Sequence, residues 1–141
     1  MNIPAITTNH VRKVIDGTTI IPDISLNVPR GSIYGFLGEN GAGKTTTIRL
    51  ILGLIKPTSG TIEIAGQRLS TAHRSVLAHV GSLVEGPSLY GHLSGVDNLR
   101  IAALLQRVSE ERITEVLDIV GLSDAGDKLT SHYSLGMKQR L

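Results

Sequence analysis

Residues 38–45 read GENGAGKT and follow directly on the apolar run IYGFL at residues 33–37. This junction constrains the chain more than any other stretch. The octet fits G-x-x-x-x-G-K-[ST], with glycines at both fixed places and a lone lysine before a threonine. An ordinary turn needs one or two glycines and no fixed cation. A bound triphosphate needs more, because glycines let the backbone adopt positive φ and bring successive N–H groups onto phosphate oxygens. A helix that starts there directs its N-terminal dipole at the same anion. The pattern therefore predicts a phosphate cradle made of Gly38, Glu39, Asn40, Gly41, Ala42, Gly43, Lys44, Thr45 and Thr46. Lys44 would reach the β- and γ-phosphates, the Thr45 hydroxyl would bind Mg²⁺, and Thr46 would add a hydroxyl or N–H near the α-phosphate. The bland alternative, a glycine-rich turn with a solvated lysine, leaves the buried-type run before and the amphipathic helix after unexplained.

Those flanks follow from periodicity. Residues 33–37 are apolar apart from Gly35, which predicts a parallel-sheet strand covered on both faces. Ile48, Ile51, Leu52 and Ile55 recur at helical spacing, which predicts a helix over residues 44–55 stopped by Pro57 and Gly60. Residues 24–28 (ISLNV) and 61–65 (TIEIA) alternate as half-buried strands, with Gly66 turning the second back. Residues 80–84 (VGSLV) predict a further buried strand ending at Glu85-Gly86-Pro87. Beyond it the pattern becomes helical. Ser94 and Asp97 match a capping box ahead of a helix to about Arg107. A second helix starts near Ser109, buries Ile113, Val116, Leu117 and Val120, and stops at Gly121.

Composition narrows the function classes. The chain of 141 residues suffices for one domain with a core but not for two. A net charge of +2, with basic residues clustered no further than pairs such as Arg12-Lys13, argues against a nucleic-acid surface. Zero cysteines exclude disulfides and thiolate-bound zinc. The five histidines (His10, His73, His79, His92, His132) lack metal-ligand spacing. No signal peptide is visible at the N-terminus, and the apolar run over residues 50–55 is too short to span a bilayer.

Two further stretches, GSLVEGPSLYGHLSGVDNL at residues 81–99 and HYSLGMKQRL at residues 132–141, complete an order that resembles the ATP-binding subunit of ABC transporters. The resemblance covers essentially the whole chain. It implies an α/β fold, a P-loop NTPase nucleotide-binding domain of ABC type with an N-terminal antiparallel β-subdomain and a helical insertion, truncated after the signature motif. The core would occupy about residues 1–85 and the helical subdomain about 86–141. The resemblance also implies ATP and Mg²⁺ as cofactors, a second ATP-binding subunit and a membrane-spanning permease as partners, and a peripheral place on the cytoplasmic face of the membrane. No nucleic-acid partner is expected.

Site roles carry over residue by residue. Where the family usually has glutamine at the end of the middle strand, this chain has Glu85, which would hold Mg²⁺ or the attacking water beside Lys44 as a catalytic residue; a carboxylate is the harder ligand. Glu85 followed by Gly86-Pro87-Ser88-Leu89-Tyr90 resembles the bacitracin-resistance and lantibiotic-immunity branch of exporters. The signature Leu-Ser-Gly-Gly-Gln is matched by Tyr133, Ser134, Leu135, Gly136 and Met137. Ser134 and Gly136 keep the hydroxyl and the close backbone approach to ATP on the opposite subunit, while Leu135 and Met137 depart from the pattern. The position that often stacks an aromatic on adenine is Ile15, which lacks a π-face. Leu89 and Tyr90 either face the permease or pack within the helical segment.

The chain stops at Leu141, before the family's Asp-Glu strand and switch histidine. The expectation is an N-terminal portion of a longer ATPase, inactive by itself. The competing readings are a soluble ABC ATPase acting on ribosomes or DNA, and an ATP-binding regulatory chain without hydrolysis.

Overall fold

The computed structural model describes residues 3–84 and 86–141. It divides into two compact units, residues 1–84 and 85–141.

The first unit is built on an antiparallel sheet of order β2-β1-β3-β4, with β1 Ile6–Ile15, β2 Thr18–Val28, β3 Ser59–Ile64 and β4 Gln67–Arg68. Both of its tight hairpins use two central residues at positive φ: Asp16 (47°) with Gly17 (77°), and Ala65 (50°) with Gly66 (77°). That conformation matches the right-handed twist of the strands it joins. Between Thr8 and Val11 the register of β1 against β2 shifts, and His10 sits there at φ 47°. β3 approaches this bulge so closely that a β-carbon on Gly60 would overlap the His10 carbonyl.

The helix α1, Lys44–Ile51, packs on one face of the sheet. Its Leu50 joins Val11, Ile21 and Ile62 in a buried cluster. Burying a side chain of that size contributes about 1.5–3 kcal/mol. The helix is one turn shorter than its apolar spacing predicts. Gly53 (φ 63°) closes it: the Leu54 N–H donates to the Arg49 carbonyl at 2.9 Å and the Gly53 N–H to Leu50 at 3.0 Å. This paired cap satisfies carbonyls that a longer helix would otherwise use, so Gly53 and not Pro57 is the stop.

Two expected strands are not formed. Residues 33–37 and 80–84 have no strand pairing, and Ile33 and Leu37 are 105% and 92% exposed. A parallel strand draws every ladder bond from its neighbours, and among the described residues none flanks either run. The hairpin strands form because each carries its partner two residues away.

The second unit is helical, with α2 Gly95–Gln106, α3 Glu111–Ile119 and α4 Leu135–Arg140. Ser94 caps α2: its Oγ accepts from the Asp97 N–H at 3.0 Å and donates to the Asp97 carboxylate at 2.7 Å. α3 ends at Gly121 (φ 63°) in the same paired cap as α1, with the Leu122 N–H donating to Leu117 at 2.8 Å. Leu122 then folds into the core with Ile113, Leu117, Ala125 and Tyr133, where the apolar contact that accompanies such caps belongs.

Candidate functional site

The glycine loop has the conformation its composition implies. Gly41 (φ 86°) and Gly43 (φ 84°) both lie in the left-handed region. Gly43 is doubly constrained, since a β-carbon there would stand 3.2 Å from Ile21 Cγ1 and 3.3 Å from the Ile20 carbonyl. β2 thus forms the floor of the loop. Gly43 is the N-cap of α1, and its carbonyl accepts from both the Thr47 N–H (2.8 Å) and the buried Thr47 hydroxyl (3.0 Å). Thr47 is a loop-fixing residue that the motif pattern passes over. The signal was there, because a hydroxyl four residues after the last loop glycine is placed to bond back onto it.

Lys44 arcs back across the loop. Its Nζ donates to the carbonyls of Gly38 at 2.7 Å and Glu39 at 2.6 Å. These bonds hold the ammonium over the glycines, and its third proton is left for another acceptor. The first N–H groups of α1, those of Lys44, Thr45 and Thr46, have no acceptor within the helix by geometry. No acidic side chain occupies its first turn. The Thr45 side chain is exposed and that of Thr46 half-buried. One cation, a row of backbone donors and two hydroxyls form a donor set suited to a polyanion, and Thr45 adds a hard oxygen suited to Mg²⁺.

The second group of candidate residues lies in the other unit. Tyr133 is buried and donates its hydroxyl to the Ala125 carbonyl at 2.6 Å. Burial pushes that hydroxyl above its ordinary pKa, with the nearby Asp127 charge adding to it, so it stays a neutral donor. Ser134 is the N-cap of α4 and accepts from the Met137 N–H at 3.2 Å. Leu135 points outward at 67% exposure, Gly136 has open space around it, and Met137 packs on the helical core. The two departures from the signature pattern therefore differ physically: Leu135 changes a surface, Met137 an anchor.

Ile15 ends β1 at 42% exposure beside the Asp16-Gly17 turn. The candidate Glu85 lies outside the described residues. Among the described residues no helix is long and apolar enough to cross a membrane.

A left-handed glycine loop opening a helix on an antiparallel β-unit, followed by a helical unit with a serine-capped signature helix, defines an α/β P-loop nucleotide-binding domain of the ATP-binding-cassette type. The chain belongs to the ABC transporter family, whose sequence profile matches residues 21–141. It is 47% identical over 137 residues to the bacitracin transport ATP-binding protein BcrA of Bacillus licheniformis, covering 96% of this chain and 45% of that protein. It is 38% identical over 132 residues to the lantibiotic transport ATP-binding protein SrtF of Streptococcus pyogenes, covering 94% and 56% respectively. Among solved structures, an ATP-binding subunit of an ABC transporter superposes with a TM-score of 0.83 at 31% identity, covering 96% of this chain and 58% of that one. The chain spans about half the length of the curated relatives it matches.

Proposed function

We propose that this chain forms the nucleotide-binding part of an ATPase that binds Mg-ATP and, as a full-length dimer, hydrolyses it to drive export through a membrane permease. The single observation that carries this reading is the Lys44 ammonium held over the left-handed glycine loop by two loop carbonyls. The 47% identity to a bacitracin transport protein supports a peptide-antibiotic exporter, and with it a peripheral position on the cytoplasmic face of the membrane.

In this reading Gly38, Glu39, Asn40, Gly41, Ala42 and Gly43 wrap the phosphates with backbone N–H groups. Lys44 offsets their charge, the Thr45 hydroxyl ligates Mg²⁺, and Thr46 adds a donor. Phosphoryl transfer asks the protein for position and charge stabilisation, and these residues supply both. Glu85 serves as a Mg²⁺ or water ligand. Ile15 presses an aliphatic surface on the base. Ser134, Leu135, Gly136 and Met137 close on the nucleotide of the second subunit. Bound Mg-ATP supplies the reactive γ-phosphoryl group.

The test is the steady-state turnover of the full-length protein as a function of its concentration. Turnover rising more steeply than linearly, and lost in Ser134→Ala with ATP binding retained, is expected. A linear rate untouched by that substitution would sink the two-subunit site.

A further inference from the structure

Asn98 and Thr130 are buried polar residues, 8% and 0% exposed, in a unit whose core is otherwise apolar. Their bonds knit three chain segments. The Asn98 Oδ1 accepts from the Tyr90 N–H at 2.8 Å, while its amide donates to the carbonyls of Ser94 (2.8 Å) and Tyr90 (3.2 Å) and lies 3.4 Å from the Thr130 hydroxyl. The Thr130 hydroxyl reaches the Tyr90 carbonyl at 2.9 Å and the Leu93 carbonyl at 3.2 Å. Backbone bonds close the same seam: Thr130 N–H to Leu93 at 2.9 Å and Ser131 N–H to Gly91 at 3.0 Å.

Such a network concentrates its cost in any single loss. Fully satisfied, it specifies one arrangement; without the Thr130 hydroxyl the Tyr90 carbonyl keeps the longer bond from the Asn98 amide, and without Asn98 the Tyr90 N–H loses its side-chain acceptor. Its position gives it a consequence. Thr130 stands four residues before Ser134, and the intervening chain is a tight turn, Thr130–His132, followed by the buried Tyr133. That span has no slack. Where Thr130 is pinned, the start of α4 is pinned.

We propose that Asn98 and Thr130 are positioning residues for Ser134: by clamping the turn at Tyr90–Ser94 to the segment entering α4, they set where the signature hydroxyl stands. The role rests on the proposed part of Ser134 in ATP hydrolysis.

The experiment uses the full-length protein and has two arms. In the first, Thr130→Val keeps the side-chain shape but removes the hydroxyl, and Thr130→Ser keeps the hydroxyl. Thr130→Val is expected to lower kcat about tenfold or more while affinity for a fluorescent ATP analogue stays within about twofold, and Thr130→Ser to retain activity. Wild-type kcat in Thr130→Val, or an equal loss in Thr130→Ser, would overturn the proposal. The second arm needs no variant and decides the matter where Thr130→Val does not fold. Amide hydrogen exchange of Tyr90, Thr130 and Ser131 in the wild-type protein should show one shared opening free energy, because one clamp protects all three. Independent opening would overturn the clamp. A wild-type protein without any ATP turnover would instead refute the proposed function, and the exchange arm would still judge the clamp.

Discussion

Gly95 leaves the space that the Tyr133 hydroxyl fills. A β-carbon at position 95 would overlap that oxygen and stand 3.1 Å from the Gly126 carbonyl. The hydroxyl itself is held at 2.6 Å from the Ala125 carbonyl and cannot simply swing aside. Two effects oppose each other in Gly95→Ala. Gly95 is the first residue of α2, where alanine gains less than the ~1 kcal/mol of a helix interior, whereas overpacking a filled site costs about 1–3 kcal/mol. The clash is with a tethered ring, so the overpacking dominates. Gly95→Ala should lower the thermal midpoint of the full-length protein, and by less when Tyr133→Phe is also present. Strictly additive effects in the double-mutant cycle would show that the two positions do not compete for this space.

Lys44 supplies the only cation of the glycine loop over residues 38–46. In the full-length protein, Lys44→Ala should weaken binding of a fluorescent ATP analogue at least tenfold, about 1.4 kcal/mol, with Mg²⁺ present. Because Lys44 also bonds the carbonyls of Gly38 and Glu39, the loop should become more mobile in the same variant. Unchanged affinity would remove the loop from the nucleotide site.

His10 and Asp23 face each other across the β1–β2 pair, with Nδ1 2.9 Å from Oδ2. The hydrogen bond to Asp23, and then its charge, raise the His10 pKa above its ordinary value of 6.5. A raised folded-state pKa means that the protonated form is favoured by folding. Its stabilising effect is complete below the unfolded pKa and is lost as pH rises through the folded one. Both groups are exposed, so the readout is the titration itself. An NMR titration of His10 should give a pKa above 6.5 that falls in Asp23→Asn. Identical titration curves in the two proteins would rule the pair out.

Ile33 and Leu37 carry an apolar run into solvent at 105% and 92% exposure. Unpaired strand-forming segments are templates for association. Expressed alone, the 141-residue chain should elute as aggregate or bind a hydrophobic dye strongly, and should show no ATPase activity above background. Ile33→Lys with Leu37→Lys should reduce the aggregation. A monodisperse, sharply melting and hydrolytically active wild-type chain of this length would contradict the prediction.

What could be read along the chain is what a few consecutive residues decide together. The glycine loop is such a case: left-handed geometry at Gly41 and Gly43, the lysine at the loop end and the helix that follows are all set within eight positions. Helix caps are another, since Ser94 and Asp97 lie three residues apart and meet as soon as one turn forms. The same holds for Ser134 and Met137. Periodicity found the second half of β2, residues 24–28, and most of β3, residues 61–64, but not β1, Ile6–Ile15, whose register shift against β2 interrupts the strand pairing. Residues 33–37 and 80–84 were beyond that reach. Their apolar character states a demand for neighbours on both edges, and only tertiary structure says whether neighbours are there. Tertiary structure alone also joined Asn98 to Thr130, 32 positions apart, and set Gly95 under Tyr133. In these pairs neither residue has a meaning until the chain has folded back. A buried amide is a liability until its carbonyls arrive, and a helix glycine is a weakness until a ring needs its space.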